Sequence, residues 1–293
     1  MSEAPSTKRQ VFIARLSSTL VLWGIVTAGV VLKLPWLFFA VIGLLGFLAL
    51  IEVLKMFGAD RDKRYYIWTL LIGLTYLGTT YQHFATISPA AAKADWNHLD
   101  LLYLILHLFG LFTLTLLRPL KGETTLKRLI GSFVGFFYAL VLINFLSRIL
   151  AFAGDSGYYL VLYVVAVTKF TDMGAYVVGS LIGKHKMIPH ISPGKTWQGF
   201  GGGILGAYLA SCLVYFPFKD QFASINGTHL LLIIPFILAL ATVVGDLAES
   251  VLKRCLDVKD SGHMLPGIGG ALDLIDSLCF TAPLLYLYLV LFS

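Results

Sequence analysis

Nine apolar runs, each close to the length a bilayer demands, divide this chain and leave it few folds to choose from. They lie near Leu16–Leu32, Leu34–Leu54, Tyr66–Tyr81, Leu101–Leu117, Leu129–Leu146, Tyr158–Ile182, Trp197–Phe216, Leu230–Ala248 and Leu272–Phe292. A helix needs roughly 17–25 mostly apolar residues to cross the hydrocarbon core. With 58% hydrophobic and 13% charged residues, too little polar surface remains for an ordinary soluble domain. The sequence therefore predicts an all-α polytopic membrane protein of about nine transmembrane helices. It shows no fixed-period repeat, no low-complexity segment and no linker long enough to separate domains. The Tyr66–Tyr81 run is the shortest.

The basic residues test that count. Alternate connections hold Lys8, Arg9 and Arg15; Lys55, Arg61, Lys63 and Arg64; Arg118, Lys121, Lys127 and Arg128; Lys184, Lys186 and Lys195; and Lys253, Arg254 and Lys259. The opposite connections hold only Lys33, Lys93, Arg148 and Lys219. Seventeen against four, with Lys169 inside a run, puts the rich side and the N-terminus in the cytoplasm. Charges scattered in this way leave no face for nucleic acid. Cys212, Cys255 and Cys279 lack metal or disulfide-framework spacing. The first apolar run is too long for a signal peptide and lacks a small-residue cleavage site, so it reads as a membrane helix.

Chemistry concentrates in two cytoplasmic connections. One runs from Asp246 through Glu249, Ser250, Lys253, Arg254, Lys259 and Asp260 to the Gly269–Gly270 turn, Asp273 and Asp276. Carboxylates at a membrane boundary are unfavourable unless a cation or partner holds them. Asp273 and Asp276 share a helix face at i, i+3 spacing, and a short loop can fold Asp246 opposite them. Three convergent carboxylates suit Mg²⁺, which takes oxygen ligands. Asp273 alone could be a helix cap, and Glu249 reads as an i, i+4 partner of Lys253.

The other connection follows Lys169 and Asp172, which stand three apart within an apolar run and can neutralise each other. Pro193-Gly194 predicts a turn. Ser192, Lys195 and Thr196 then present hydroxyls and an ammonium at a helix start, where anions are favoured. Gly199, Gly201, Gly202, Gly203 and Gly206 give that helix a smooth face. The Gly-Lys-Thr string is no P-loop, because Pro189 stands where the first glycine belongs and no strand precedes it.

These residues carry a family resemblance. Ser250, Lys253, Arg254, Lys259, Asp260, Gly262, Pro266, Gly269, Gly270, Asp273 and Asp276 fall in register, without gaps, with the signature of the phosphatidate cytidylyltransferase (CDP-diacylglycerol synthase) family. The segments from Asp172 to Tyr176 and from Ser192 to Gly199 match two further family motifs, so the resemblance runs from about Val167 to Pro283. Ile268 and Leu274 replace the usual His and Arg, and Ala271 a larger apolar residue.

The resemblance implies transfer of a cytidylyl group from CTP to phosphatidate, giving CDP-diacylglycerol and diphosphate, at the cytoplasmic membrane boundary of a multi-pass inner or plasma membrane protein. On it, Lys253, Arg254, Lys259 and Asp260 are catalytic. Asp172, Ser192, Lys195, Thr196, Ser250, Gly269 and Gly270 bind substrate, and Asp246, Asp273 and Asp276 hold Mg²⁺. Residues 1–15 would form a cytoplasmic tail, 16–157 the N-terminal helices and 158–293 the catalytic region. A homodimer is compatible with this scheme. The alternatives are the same chemistry on a polyprenyl or ether-lipid phosphate, and a non-catalytic lipid-binding or transport paralogue. Transporters show interrupted helices in both halves of a repeat, whereas here charged and glycine-rich features crowd the C-terminal half.

Overall fold

The structure, a computed structural model, describes residue 24 and residues 27–86, 92–117, 119–223, 225–258, 260–262 and 269–292, with side chains from residue 98 onward in the range 92–117. Its helices are α1 (Pro35–Met56), α2 (Lys63–Thr86), α3 (Ala92–Leu116), α4 (Glu123–Phe136), α5 (Phe145–Ala153), α6 (Asp155–Ile182), α7 (Trp197–Tyr215), α8 (Ile234–Cys255), α9 (Ala271–Ile275) and α10 (Leu278–Phe292). A π-helical turn, Phe137–Leu142, runs α4 on towards α5, and another, His229–Ile233, leads into α8. A short antiparallel ribbon, β1 (Lys186–Ile188) and β2 (Ser192–Thr196), joins α6 to α7. Proline in the first turn of α1 and of α8 removes an N–H that would have no helical partner there.

Among the described residues, six helical segments are long and apolar enough to cross a membrane: Pro35–Met56, His98–Leu116, Glu123–Ala153, Asp155–Ile182, His229–Cys255 and Ala271–Phe292. Leu101, Leu102, Ile105, Phe109 and Phe112 lie exposed along one of them. So continuous an apolar surface suits lipid, and with six such segments the chain is an integral membrane protein. Of the other three predicted runs, Tyr66–Tyr81 lies within α2, whose threonine hydroxyls turn back onto carbonyls of their own helix. Trp197–Phe216 corresponds to α7, where Gln198 and the glycines dilute the apolar character. Leu16–Leu32 falls largely outside the described residues.

Contacts between connections sort them into two ends. At one, Lys33 pairs with Asp155 at 2.6 Å and its carbonyl accepts from Tyr158. At the other, Asp62 pairs with Arg64 and Arg128, Lys195 with Asp246, and Arg254 donates to the Ile191 carbonyl. Arg148 belongs to neither end. Read from sequence as a connection charge, it is wholly buried in α5 and paired with Asp100 of α3. Asp100 also accepts from Tyr76 Oη at 2.9 Å, and Asn144 donates to that Oη at 3.0 Å. The guanidinium lies 4.3 Å from the centre of the Phe145 ring. This buried network fastens α2, α3 and α5 together.

The glycine face of α7 meets α6 backbone to backbone. A Cβ on Gly206 would run into the Phe170 carbonyl, and one on Gly202 would stand 2.7 Å from the Gly174 carbonyl. Gly201 is the exception: it turns away into open space.

Candidate active site

The α6–α7 pair, the ribbon, α8 and the α9–α10 junction enclose a cleft of about 570 Å³. From α6 comes Asp172; from the ribbon Ser192, Lys195 and Thr196; from α8 Asp246, Glu249 and Lys253; and from α9–α10 Asp273 and Asp276. Local backbone geometry aims these groups. The ribbon's turn falls at residues 189–191, closed by Ile191 N donating to Ile188 O, and not at Pro193-Gly194, which lie within β2. Proline is tolerated there because a two-stranded ribbon has only edges. Thr196 caps α7, its Oγ1 accepting from Gly199 N at 3.1 Å, so one hydroxyl both starts the helix and lines the cleft. At Gly245, α8 approaches the α9–α10 junction so closely that a Cβ would stand 2.7 Å from the Cα of Ser277. That approach sets Asp246 beside Asp276.

Ion pairs divide the carboxylates. Lys195 Nζ lies 2.7 Å from Asp246 and donates to the Val243 carbonyl at 3.3 Å. Lys253 Nζ bridges Glu249 at 3.0 Å and Asp273 at 2.5 Å. Lys169 stands 3.7 Å from Asp172 and donates to the Leu274 carbonyl at 2.8 Å, bearing out the expected pairing. Asp246, Glu249 and Asp276 offer carboxylate oxygens that all lie within 4.8 Å of one another.

That trio differs from the predicted one by a single member. Asp273 turns to Lys253 and to Gly270 N, which it accepts at 2.9 Å as a helix cap. Glu249 keeps its i, i+4 lysine and also joins the trio. Counted around the cleft among the described residues, five acidic side chains (Asp172, Asp246, Glu249, Asp273, Asp276) face three lysines (Lys169, Lys195, Lys253), two more acids than bases. Glu249 and Asp276 are 3% and 5% exposed, so their ionised forms need a counter-charge in place of water. An all-oxygen donor set with surplus negative charge fits a hard divalent cation such as Mg²⁺.

The remaining predicted residues separate. Ser250 is half-buried on α8 and does not line the cleft. Arg254 and Asp260 are exposed, and Arg254 braces the ribbon through the Ile191 carbonyl at 3.3 Å. Gly269 adopts φ +115°, a conformation that favours glycine, and Gly270 provides the capped N–H. Lys259 and Ile268 lie outside the described residues. Leu274, the position of the usual Arg, packs its side chain against the apolar core.

Sequence reasoning missed Glu52. It is 1% exposed on α1, and its carboxylate accepts from Ala271 N at 3.0 Å and Leu272 N at 2.9 Å. The signal that could have found it is the one that singled out Asp246, a carboxylate among apolar residues.

Known proteins bear directly on this site. The model of the cytidylyltransferase family matches residues 13–292. A phosphatidate cytidylyltransferase of Bacillus subtilis (strain 168) is 48% identical over 133 residues, 45% of this chain and 48% of the relative. That of Staphylococcus haemolyticus (strain JCSC1435) is 43% identical over 137 residues, 46% and 51% of the two chains. In these matches the chain spans about half the length of each relative. The Escherichia coli (strain K12) protein YnbB, described as uncharacterized, is 28% identical over 274 residues, 91% of this chain and 84% of its own. The chain belongs to the cytidylyltransferase family.

Proposed function

We propose that this member of the cytidylyltransferase family converts CTP and phosphatidate to CDP-diacylglycerol and diphosphate. The observation that carries the reading is the make-up of the cleft, five acidic side chains among three lysines in an integral membrane protein. Two relatives named phosphatidate cytidylyltransferase, at 43% and 48% identity over the matched stretches, support the substrate pair.

An oxygen of the lipid phosphate attacks the α-phosphorus of CTP. The bond from that phosphorus to the oxygen bridging to the β-phosphate breaks, and diphosphate carries the electron pair away. A phosphate monoester is largely ionised near neutral pH (its second pKa is about 6), so no strong general base is required. Positioning and charge neutralisation dominate such transfers. Lys195 and Lys253, each held by a carboxylate, are poised to exchange those partners for phosphate oxygens. Ser192 and Thr196 can donate hydroxyls to the same oxygens. Asp246, Glu249 and Asp276 would hold Mg²⁺, with Asp273 setting Lys253 and Asp172 the Lys169 ammonium. When bound, Mg²⁺ neutralises charge on the transferring and departing phosphates.

The nine-run alternation and the basic asymmetry, seventeen to three once the buried Arg148 is set aside, support a nine-span chain with a cytoplasmic N-terminus and the cleft at the cytoplasmic boundary. The region 158–293 then carries the chemistry, on a scaffold built by 16–157.

Purified protein given CTP labelled on the α-phosphate, Mg²⁺ and phosphatidate in mixed micelles should yield a labelled lipid and release diphosphate. Labelled product from a polyprenyl or ether-lipid phosphate alone would reassign the acceptor. With no labelled lipid from any acceptor, the enzymatic reading fails.

A further inference from the structure

We propose that Glu52 is a positioning residue of the cation cluster, reaching from the N-terminal half to fix the helix turn that carries Asp273 and Asp276. The inference rests on the cytidylyl-transfer reading of the cleft and extends it to a residue 219 positions away in sequence from its first partner. The first N–H groups of a helix have no partner within it. At the start of the Ala271–Phe292 span they are buried, and Glu52 takes two of them, one on each oxygen. A carboxylate there also meets the positive end of the helix dipole. The next residue of that turn is Asp273, which orients Lys253, and Asp276 of the trio follows three later.

The signature glycines support this from the other side. A Cβ on Gly262 would overlap the Glu52 carboxylate, and one on Gly270 would lie 2.7 Å from Glu52 Oε2 and collide with Ser261 Oγ. Both positions must stay bare for the backbone at Gly262 and at Gly270 to pack against Glu52. Two segments distant in sequence therefore meet around one buried carboxylate. A shift of the turn it grips changes the spacing between Asp276 on one side and Asp246 and Glu249 on the other.

The test titrates Mn²⁺ into the purified full-length protein in detergent and follows the free ion by electron paramagnetic resonance, below the melting temperature of each variant. Glu52→Gln, which keeps the volume but sets an NH₂ against one of the amides, should weaken Mn²⁺ binding by about 10–100-fold, as when an outer partner of a metal ligand is lost. Glu52→Asp should recover part of that affinity. Gly270→Ala, which pushes on the same contact, should resemble Glu52→Gln. If Glu52→Gln melts at lower temperature yet binds Mn²⁺ as the wild type does, Glu52 is only a structural cap and the proposal falls. Should Glu52→Gln not fold, Glu52→Asp decides: wild-type affinity overturns the proposal, and a loss of tenfold or more supports it. A wild-type chain that binds no Mn²⁺ overturns it as well. One that binds Mn²⁺ without making a cytidylyl lipid refutes the proposed reaction and leaves the Glu52 comparison intact.

Discussion

Two clusters of charge lie within this membrane protein, and they are built on opposite plans. In the N-terminal half, Arg148 faces Asp100, which Tyr76 and, through it, Asn144 join by hydrogen bonds. Among the described residues one cation meets one anion, both within a largely apolar interior. In the C-terminal half, again among the described residues, five carboxylates meet three lysines beside an open cleft. The first arrangement pairs opposite charges in a closed interior. The second sets more acids than bases beside a space, which is the ground for proposing a site there. A buried charge cluster indicates function when its charges fail to balance next to a space something else can enter, and burial alone does not.

The sharpest way to break the contrast is to neutralise one acid in each cluster. Asp246→Asn or Asp276→Asn should lower the cytidylyl-transfer rate by about 10³-fold or more, the several kcal/mol that metal charge contributes to such a transition state. Asp276→Asn should not lower the melting temperature, because it relieves like-charge repulsion, whereas Asp246→Asn also gives up the Lys195 ion pair. Near-normal turnover in either variant, measured on folded protein, would remove the functional half of the comparison.

In the N-terminal cluster stability should suffer. Arg148→Met strands Asp100 in an apolar interior and should destabilise the protein by about 3–5 kcal/mol, read as loss of folded protein or a fall in melting temperature. Adding Asp100→Leu should restore most of that loss, with the turnover of the folded enzyme unchanged throughout. A specific loss of turnover in the stable double variant would make the N-terminal network part of the site.

Arg254 tests the boundary of the C-terminal cluster and should show the smallest effect. The family signature includes it, yet it is exposed and braces the ribbon through one carbonyl. Arg254→Ala should therefore change the KM for CTP by no more than about fivefold, in the range of exposed charge interactions. A hundredfold loss would mean that Arg254 swings into the cleft when substrate binds.

The sequence made some of this contrast legible. Apolar runs of membrane length appear as helices because lipid leaves a backbone no other partner. The glycines of α7 predicted close approach, and α6 lies against them. Asp246 and Asp276 could be brought together from spacing and loop length alone. Long-range partners could not. Arg148 looked like a connection charge because Asp100, 48 residues earlier, is joined to it only by the fold. Glu52 was hidden for the same reason. The exchange of Asp273 for Glu249 is subtler. Asp246 and Glu249 share a face of α8 at i, i+3 spacing, so both reach the cleft, while Lys253 and the bare N–H of Gly270 draw Asp273 aside.

Thermal unfolding with increasing Mg²⁺ tests the central claim most directly, because a ligand that binds only the folded state raises its stability by mass action. The charge imbalance predicts a melting temperature that climbs with Mg²⁺ in the wild type and in Asp100→Asn, whatever the starting value of the latter. The climb should be abolished in Asp246→Asn and Asp276→Asn. An undiminished Mg²⁺-dependent rise in Asp276→Asn would contradict the account.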